Sequence, residues 1–304
     1  MLILGAGMAG CLAAIINQSS IIWEPKKYDD MNFHKAVLRF RTPQIGDAIG
    51  VKFKKITVYK GIWHRKQAVN LSPRYINLYS RKVSDIISER SICNLQNEER
   101  WIAPSDFHDI LIGQCKNRIF WGTPTENIFA NAMELSQPII TTLPIFVPAK
   151  EFSYDLKIEN NISKIFVTRL KINGCDIYQT YYYTDPDLLP YRASLTKDIL
   201  IIESRWEIKS EDIYEVLRSF GLTGIDYEIE INNYEQPNGK MTKIDESKRR
   251  QIIFELTHKF NIYSLGRFAV WRNLVLDEVY DDIFKIRRMI NEDNYGKLRI
   301  EHES

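Results

Sequence analysis

The stretch that decides the fold is the first one. It reads Met1-Leu-Ile-Leu-Gly5-Ala-Gly7-Met-Ala-Gly10, continues apolar through Cys11 to Ile16, and resumes as Ser19-Ser-Ile-Ile-Trp23-Glu24. A short apolar run, a Gly-x-Gly-x-x-Gly turn, an apolar helical stretch, a second strand and an acid follow one another in the order a dinucleotide-binding unit needs. Gly5 lets the chain turn tightly off the first strand, Gly7 lets a pyrophosphate approach the backbone, and Gly10 lets the helix pack closely on the sheet. The unpaired amides at the helix start then face the phosphates. Glu24 lies nineteen residues after Gly5, the distance at which a carboxylate accepts hydrogen bonds from a ribose. Its charge argues against a 2'-phosphate, so NADP is the least favoured occupant.

The chain has 304 residues, which suits two domains or one domain with a large insertion. Hydrophobic residues make up 44% of it, ample for real cores, and the net charge of +2 does not by itself imply a nucleic-acid partner. Cys11, Cys93, Cys115 and Cys175 show no metal-like spacing and read as reduced thiols, so no metal is expected. No apolar run reaches the roughly eighteen residues of a membrane span. The first strand starts at residue 1 without a basic leader, so Met1 is expected to be the natural start and the location cytoplasmic. The oligomeric state stays open.

Beyond Glu24 the chain turns polar. His34-Lys-Ala-Val-Leu-Arg-Phe-Arg41 then alternates, and Arg39 and Arg41, two apart, point the same way on a strand. Such a pair suits a cofactor with two phosphates, or a solvated strand face. His34, alone in a loop, is a weak catalytic candidate. From Gly50 to Lys82 there are nine Lys or Arg residues and no acid, interleaved with Trp63, Tyr75 and Tyr79. That pattern fits a nucleic-acid surface, a patch for an anionic small substrate, or a basic solvated edge. Helices are predicted over Leu78–Ile87, Asp106–Cys115 and Thr125–Leu135, with His108 partly exposed. A strand is predicted at Ile139 that stops at Pro144.

Residues 150 to 206 change character. Strands are predicted over Phe152–Leu156, Ile162–Leu170, Asp176–Tyr183 and Leu200–Trp206, a mostly antiparallel sheet. Tyr178-Gln-Thr-Tyr-Tyr-Tyr183, followed by Tyr191-Arg-Ala-Ser194, offers either a wall over a flat ring or an aromatic sheet core. Helices are predicted at Glu211–Phe220 and Ser247–Phe260, with a strand at Ile225–Ile231 between them. Ile262 opens a short strand that breaks at Gly266, and a helix is predicted to run on through Asn273 to Ile290. A glycine at such a junction offers bare amides, and Arg267 sits there.

These blocks resemble FAD-dependent oxidoreductases of the glutathione-reductase-like fold (GR2 type), in the branch of UDP-galactopyranose mutase, protoporphyrinogen oxidase and the flavin amine oxidases. The resemblance extends by analogy to compact, phage-type members. The resemblance rests on Gly5, Gly7, Gly10 and Glu24, on Thr141-Thr-Leu-Pro144, on Tyr181 to Arg192, and on Gly266-Arg267 with Trp271 and Asp277. It implies an α/β fold, a Rossmann-like FAD-binding domain with an inserted, mostly antiparallel substrate sheet. The expected division is 1–149 for the first part of the FAD domain, with some substrate-side elements in 35–100, then 150–232 for the inserted sheet and 233–304 for the closing part. FAD would be non-covalent, held by Gly5, Ala6, Gly7, Met8, Ala9, Gly10 and Glu24. Arg39, Arg41, Thr142, Gly266, Arg267, Trp271, Asn273 and Leu274 would complete the site. Tyr183, Arg192 and Arg267 would meet the substrate. The implied reaction is hydride removal from a carbon bearing nitrogen or oxygen, in a polar or anionic substrate such as an amino-modified nucleotide or DNA base. Two alternatives stand beside it: redox-neutral mutase chemistry on a nucleotide sugar, and a non-catalytic flavoprotein or nucleic-acid-binding subunit.

Overall fold

A computed structural model describes residues 1–30, 37–84, 91–156, 164–236, 239, 241 and 244–303, the last eleven of these by helix path alone. His34 lies outside them. In chain order the strands are β1 (Leu2–Leu4), β2 (Ile21–Glu24), β3 (Arg39–Phe40), β4 (Lys54–His64), β5 (Gln67–Val69), β6 (Glu98–Ile102), β7 (Ile119–Trp121), β8 (Ile139–Thr141), β9 (Ile165–Ile172), β10 (Ile177–Tyr183), β11 (Pro190–Lys197), β12 (Ile199–Ser204), β13 (Tyr227–Gln236) and β14 (Ile262–Ser264). The helices are α1 (Met8–Ile16), α2 (Gln44–Ile49), α3 (Pro73–Ser84), α4 (Phe107–Cys115), α5 (Ile128–Met133), α6 (Phe146–Glu151), α7 (Ser210–Ser219), α8 (Glu246–Phe260) and α9 (Leu276–Glu303). Contacts divide the chain into two compact units. Met1–Phe53, Ala103–Glu159 and Lys243–Ser304 form the first, and Lys54–Ile102 with Asn160–Thr242 form the second.

The first unit is built on an all-parallel sheet in the order β14-β8-β1-β2-β7. Leu2, Ile3 and Leu4 are fully buried, as a parallel strand covered on both faces requires. Helix α1 contributes Cys11, Leu12, Ala13 and Ala14, all fully buried; its alanines and Gly10 keep the helix close to the sheet. Its C-terminal end is closed by Arg118, whose Nη1 donates to Ala14 O at 2.7 Å and Gln18 O at 3.1 Å. A cation at that end also opposes the negative pole of the helix dipole. On α9, Val279, Ile283 and Ile286 are buried at helical spacing.

The second unit carries a mostly antiparallel sheet. Its strands run β13-β9-β12-β11-β10-β4-β6, with β5 beside β4 and one parallel pair, β10 with β4. Alternation sends successive side chains to opposite faces. Leu170, Tyr183, Ala193, Leu195, Leu200 and Ile202 pack with Ile213, Val216 and Leu217 of α7. Ile62, Tyr182 and Tyr191 pack on the opposite side with Tyr79 and Val83 of α3.

A parallel α/β unit with a second, mostly antiparallel sheet is the predicted architecture. Several local expectations differ. Phe152–Leu156 is not a strand: Phe152 follows α6 and stacks on Phe260, 4.4 Å between centroids. Tyr191–Ser194 lies within β11, beginning one residue in from its start, and β13 extends past Ile231 to Gln236. The closing helix begins only at Leu276, so Gly266 is not at a helix N-terminus; a turn spans 266–272. Strand β3 holds only Arg39 and Phe40, so Arg39 and Arg41 do not share a strand face. Among the described residues no helix is long and apolar enough to cross a membrane.

Candidate dinucleotide site of the first unit

The site grows from the turn between β1 and α1. Gly5 adopts φ +101° and its amide donates to Trp23 O at 2.8 Å, so the turn is tied to β2. A Cβ on Gly5 would sit 2.4 Å from Thr142 Oγ1. That hydroxyl donates to Leu4 O at 2.9 Å, so Thr142 holds the end of β1. A Cβ on Gly10 would lie 1.9 Å from Gly5 O, a backbone atom, which is why the helix approaches the strand only with glycine there. At Gly7 the situation is the reverse. This residue caps α1 in an extended conformation, and a Cβ built on it meets nothing within 4 Å. The first intrahelical hydrogen bond is Cys11 N to Gly7 O, 3.0 Å, so the amides of Met8, Ala9 and Gly10 precede any intrahelical acceptor. Three donors and the positive pole of the helix thus face the open side of the turn.

Glu24 closes the other flank. It is 7% exposed; Oε2 accepts from Ala6 N at 2.6 Å and Oε1 from Lys26 N at 2.9 Å. The Ala6 amide, expected to face the phosphates, is therefore used to hold the carboxylate. Each carboxylate oxygen retains a further lone pair for a ribose hydroxyl. The Ala6 carbonyl is held as well: the Cys11 thiol donates to it at 3.3 Å and His108 Nε2 lies 3.4 Å away. His108 was expected to be partly exposed but is 6% exposed. The signal was present, because His108, Leu111, Ile112 and Cys115 recur at helical spacing on the buried face of α4. Cys11 and Cys115 face each other. Their mutual hydrogen bond holds the Cys11 thiol well above its ordinary value and, with Arg118 nearby, lowers that of Cys115.

The distant Gly266 turn reaches the same place. Gly266 has φ +87°, and a Cβ on it would lie 2.9 Å from Ala9 Cβ on the first turn of α1. Arg267 lies over the Phe268 ring at 5.5 Å. Trp271 is 6% exposed and meets Phe146 edge-on at 6.1 Å, so it packs under the turn and is not presented outward; Asn273 is exposed and Leu274 half-buried. Arg41 is tied to the start of α9. Its amide donates to Asp277 Oδ1 at 3.0 Å and Nη1 pairs with Glu278 at 3.4 Å. Arg39 is half-buried on β3.

Two residues expected to meet substrate have other roles in the second unit. Tyr183 is fully buried against α7. Ser219 Oγ donates to Val216 O, so the Tyr183 hydroxyl is the donor in the 2.7 Å bond between them, and burial pushes its ionisation far up. Arg192 forms a two-pronged ion pair with Glu203 on the neighbouring strand, through Nε and, at 2.8 Å, Nη2. Arg192→Ala is expected to lower stability by about 1–3 kcal/mol, since Glu203 loses its partner, and to leave dinucleotide binding unchanged. Denaturant midpoints and nucleotide titrations check this; loss of nucleotide binding at unaltered stability would contradict it. Tyr191, placed on the same imagined wall, is 1% exposed on the opposite face.

The basic stretch is partly neutralised. Lys55 pairs with Glu99 at 2.7 Å and Lys60 with Glu98 at 2.5 Å, while Lys54 donates to Tyr178 Oη. Arg65, Lys66, Arg74 and Arg81 are exposed. Lys82 Nζ donates to Asp185 O at 2.7 Å, and burial pulls its amine down to about 7 against the pull of Asp185, Asp212 and Asp187. The unfolded chain holds that proton up to the ordinary value of 10.5. Between these limits the unfolded state binds more protons, so stability rises with pH; below the lower limit both states are protonated and the slope vanishes. Relative to Lys82→Met, the wild type is expected to gain about 1–3 kcal/mol between roughly pH 7 and 10. Parallel pH–stability curves would contradict this. An open groove of about 930 Å³ lies on this unit between Trp63, Leu188, Tyr214 and Tyr227. Among its acids, Asp212 and Glu215 are already engaged by Leu189 N and Trp63 Nε1. Among the described residues no group of three or more His, Cys, Asp or Glu is placed to hold a metal.

No protein-family model and no curated protein matches the chain by sequence. Solved structures do match by fold. A redesigned putrescine oxidase aligns with a TM-score of 0.53 at 9% identity, over 94% of this chain and 98% of its own. Aklavinone-11 hydroxylase, solved with FAD and aklavinone, aligns with a TM-score of 0.52 at 8% identity over 95% of this chain. PqsL of P. aeruginosa aligns with a TM-score of 0.50 at 10% identity, over 95% of this chain and 84% of its own. The chain spans 61% of the hydroxylase's length. At these identities the likeness is one of fold, and the fold is the two-domain α/β architecture of FAD-binding oxidoreductases.

Proposed function

We propose that the chain is an FAD-dependent oxidoreductase whose first unit holds FAD non-covalently. The observation that carries this is the closure of the cradle from both ends of the sequence. Gly266, more than 250 residues from Gly5, is pressed against Ala9 beside the helix amides. The residues present fit the group: the open side of Gly7 admits a pyrophosphate, the amides of Met8, Ala9 and Gly10 donate to it, and Glu24 accepts from the ribose. The Gly266–Arg267 turn approaches the first turn of α1, and Arg267 would supply a cation to a group bound there. Solved structures of this fold, one of them a complex with FAD, and the resemblance of the sequence blocks support the same cofactor. Bound FAD supplies the hydride chemistry, and the protein supplies position and electrostatics.

The finer reading is hydride removal from a carbon bearing nitrogen or oxygen in a polar or anionic substrate, an amino-modified nucleotide or DNA base among the candidates. Its support is the exposed cations Arg65, Lys66 and Arg74 and the resemblance to the amine-oxidase branch. Anaerobic mixing of the FAD-loaded protein with amines, amino acids, nucleotide sugars and modified nucleotides tests it. Bleaching of the flavin band by one class, with peroxide on admission of air, is the expected result. Turnover of a nucleotide sugar only after chemical reduction, with no net oxidation, would replace this reading with redox-neutral chemistry.

A further inference from the structure

We propose that Trp121, with Tyr28 beside it, is the platform on which the adenine ring of the dinucleotide stacks. This rests on the FAD reading above and names the residues that hold the cofactor's other half. The direction follows from the sheet. The phosphate cradle lies at the end of β1, and β2 is the next strand, ending on Glu24. On the far side of β2 runs β7, parallel and in register, with Glu24 opposite Trp121. A nucleotide whose pyrophosphate meets α1 and whose ribose meets Glu24 carries its base onward, over the carboxyl end of β7.

What stands there is aromatic. Trp121 is half-buried and Tyr28 is 51% exposed, their rings edge-to-face at 5.3 Å and 79°. Edge-to-face packing of this kind engages at most one face of the Trp121 indole. The backbone beneath is fixed by the acid's own segment. Thr123 N donates to Glu24 O at 3.1 Å, Gly122 N to Lys26 O at 3.0 Å, and Gly122 turns the chain with φ +69°. The carboxylate that meets the ribose and the indole that meets the base are therefore parts of one small hydrogen-bonded unit. A single exposed aromatic means little; it is the register opposite Glu24 that gives Trp121 its role.

Stacking of a base on an aromatic side chain changes affinity by roughly tenfold to a hundredfold. Trp121→Leu is expected to weaken binding of both FAD and ADP by at least about tenfold, and by the same factor for each, because the two share the adenine half. Trp121→Phe is expected to restore most of it. Equilibrium titration of the full chain with each nucleotide, alongside a thermal melt, reads this out. A folded Trp121→Leu protein whose ADP affinity stays within about twofold of wild type, or whose FAD affinity alone falls, overturns the assignment. Should that variant not fold, Tyr28→Ala decides: a severalfold loss of ADP affinity supports the platform and an unchanged affinity overturns it. A wild-type protein that binds neither FAD nor ADP sinks the FAD reading itself, which is a different outcome.

Discussion

Gly10→Ala is expected to produce a protein that binds FAD more weakly, by on the order of a hundredfold or more, and melts at a lower temperature. The added methyl would lie 1.9 Å from the carbonyl oxygen of Gly5 and 3.1 Å from its carbon. Neither is a flexible side-chain end that can swing away. Relief requires α1 to move off β1, or the Gly5 turn to open, and Gly5 is itself pinned by Trp23 O and Thr142. Overpacking of this kind costs about 1–3 kcal/mol. Displacing the helix also takes the amides of Met8, Ala9 and Gly10 out of line with the phosphates. A hydrogen bond to a charged group contributes about 1.5–3 kcal/mol, so misaligning even two weakens FAD by on the order of a hundredfold or more. Thermal melts and flavin titration measure the two effects separately. A Gly10→Ala protein that binds FAD like wild type would contradict the close packing on which the cradle depends.

Glu24→Ala is expected to have the second largest effect. The side chain is 7% exposed and serves two backbone amides, Ala6 N and Lys26 N. Removing it leaves the buried Ala6 amide without an acceptor, at about 1–3 kcal/mol, while the amide of the exposed Lys26 turns to water. It also deletes the acceptor for the ribose, so FAD binding falls by a further tenfold or so. Glu24→Gln keeps one acceptor oxygen and is expected to fall between alanine and wild type. Urea unfolding with and without FAD checks both parts. An alanine variant as stable as wild type would mean that the Ala6 turn does not rely on this carboxylate.

Much of the first unit was legible because its determinants are local. Gly10 answers to Gly5 a few residues away, Gly5 is tied to the strand next in sequence, and the acid follows at a fixed distance; only the contact of Gly5 with Thr142 is remote. His108 is legible too, by its spacing with Leu111, Ile112 and Cys115 on the apolar face of α4. Other features depend on partners that sequence spacing does not reveal. The aromatic run around Tyr183 alternates as a strand should. Nothing in the alternation says that both faces of the sheet are covered, one by α7 and the other by α3. Arg192 reads as a free cation until β12 is laid beside β11 and brings Glu203 opposite it. Strand β4 pairs with β10 across more than a hundred residues of chain. The start of α9 shows a different limit. Its apolar repeat fixes the helix face but not its first turn, which is set by Val275 N donating to Glu278 Oε2 and by Asp277 holding the amide of Arg41.

The measurement that bears most directly on the central claim is an equilibrium titration of the purified chain with FAD, run in parallel on wild type and Gly7→Val. Because a Cβ at Gly7 meets no heavy atom within 4 Å beyond its chain neighbours, the variant is expected to melt close to wild type. The predicted result is saturable uptake of about one FAD per wild-type chain and no uptake by the folded variant. Wild type that shows no saturable binding, or a Gly7→Val protein that fills as readily, would contradict the assignment of this cradle to FAD.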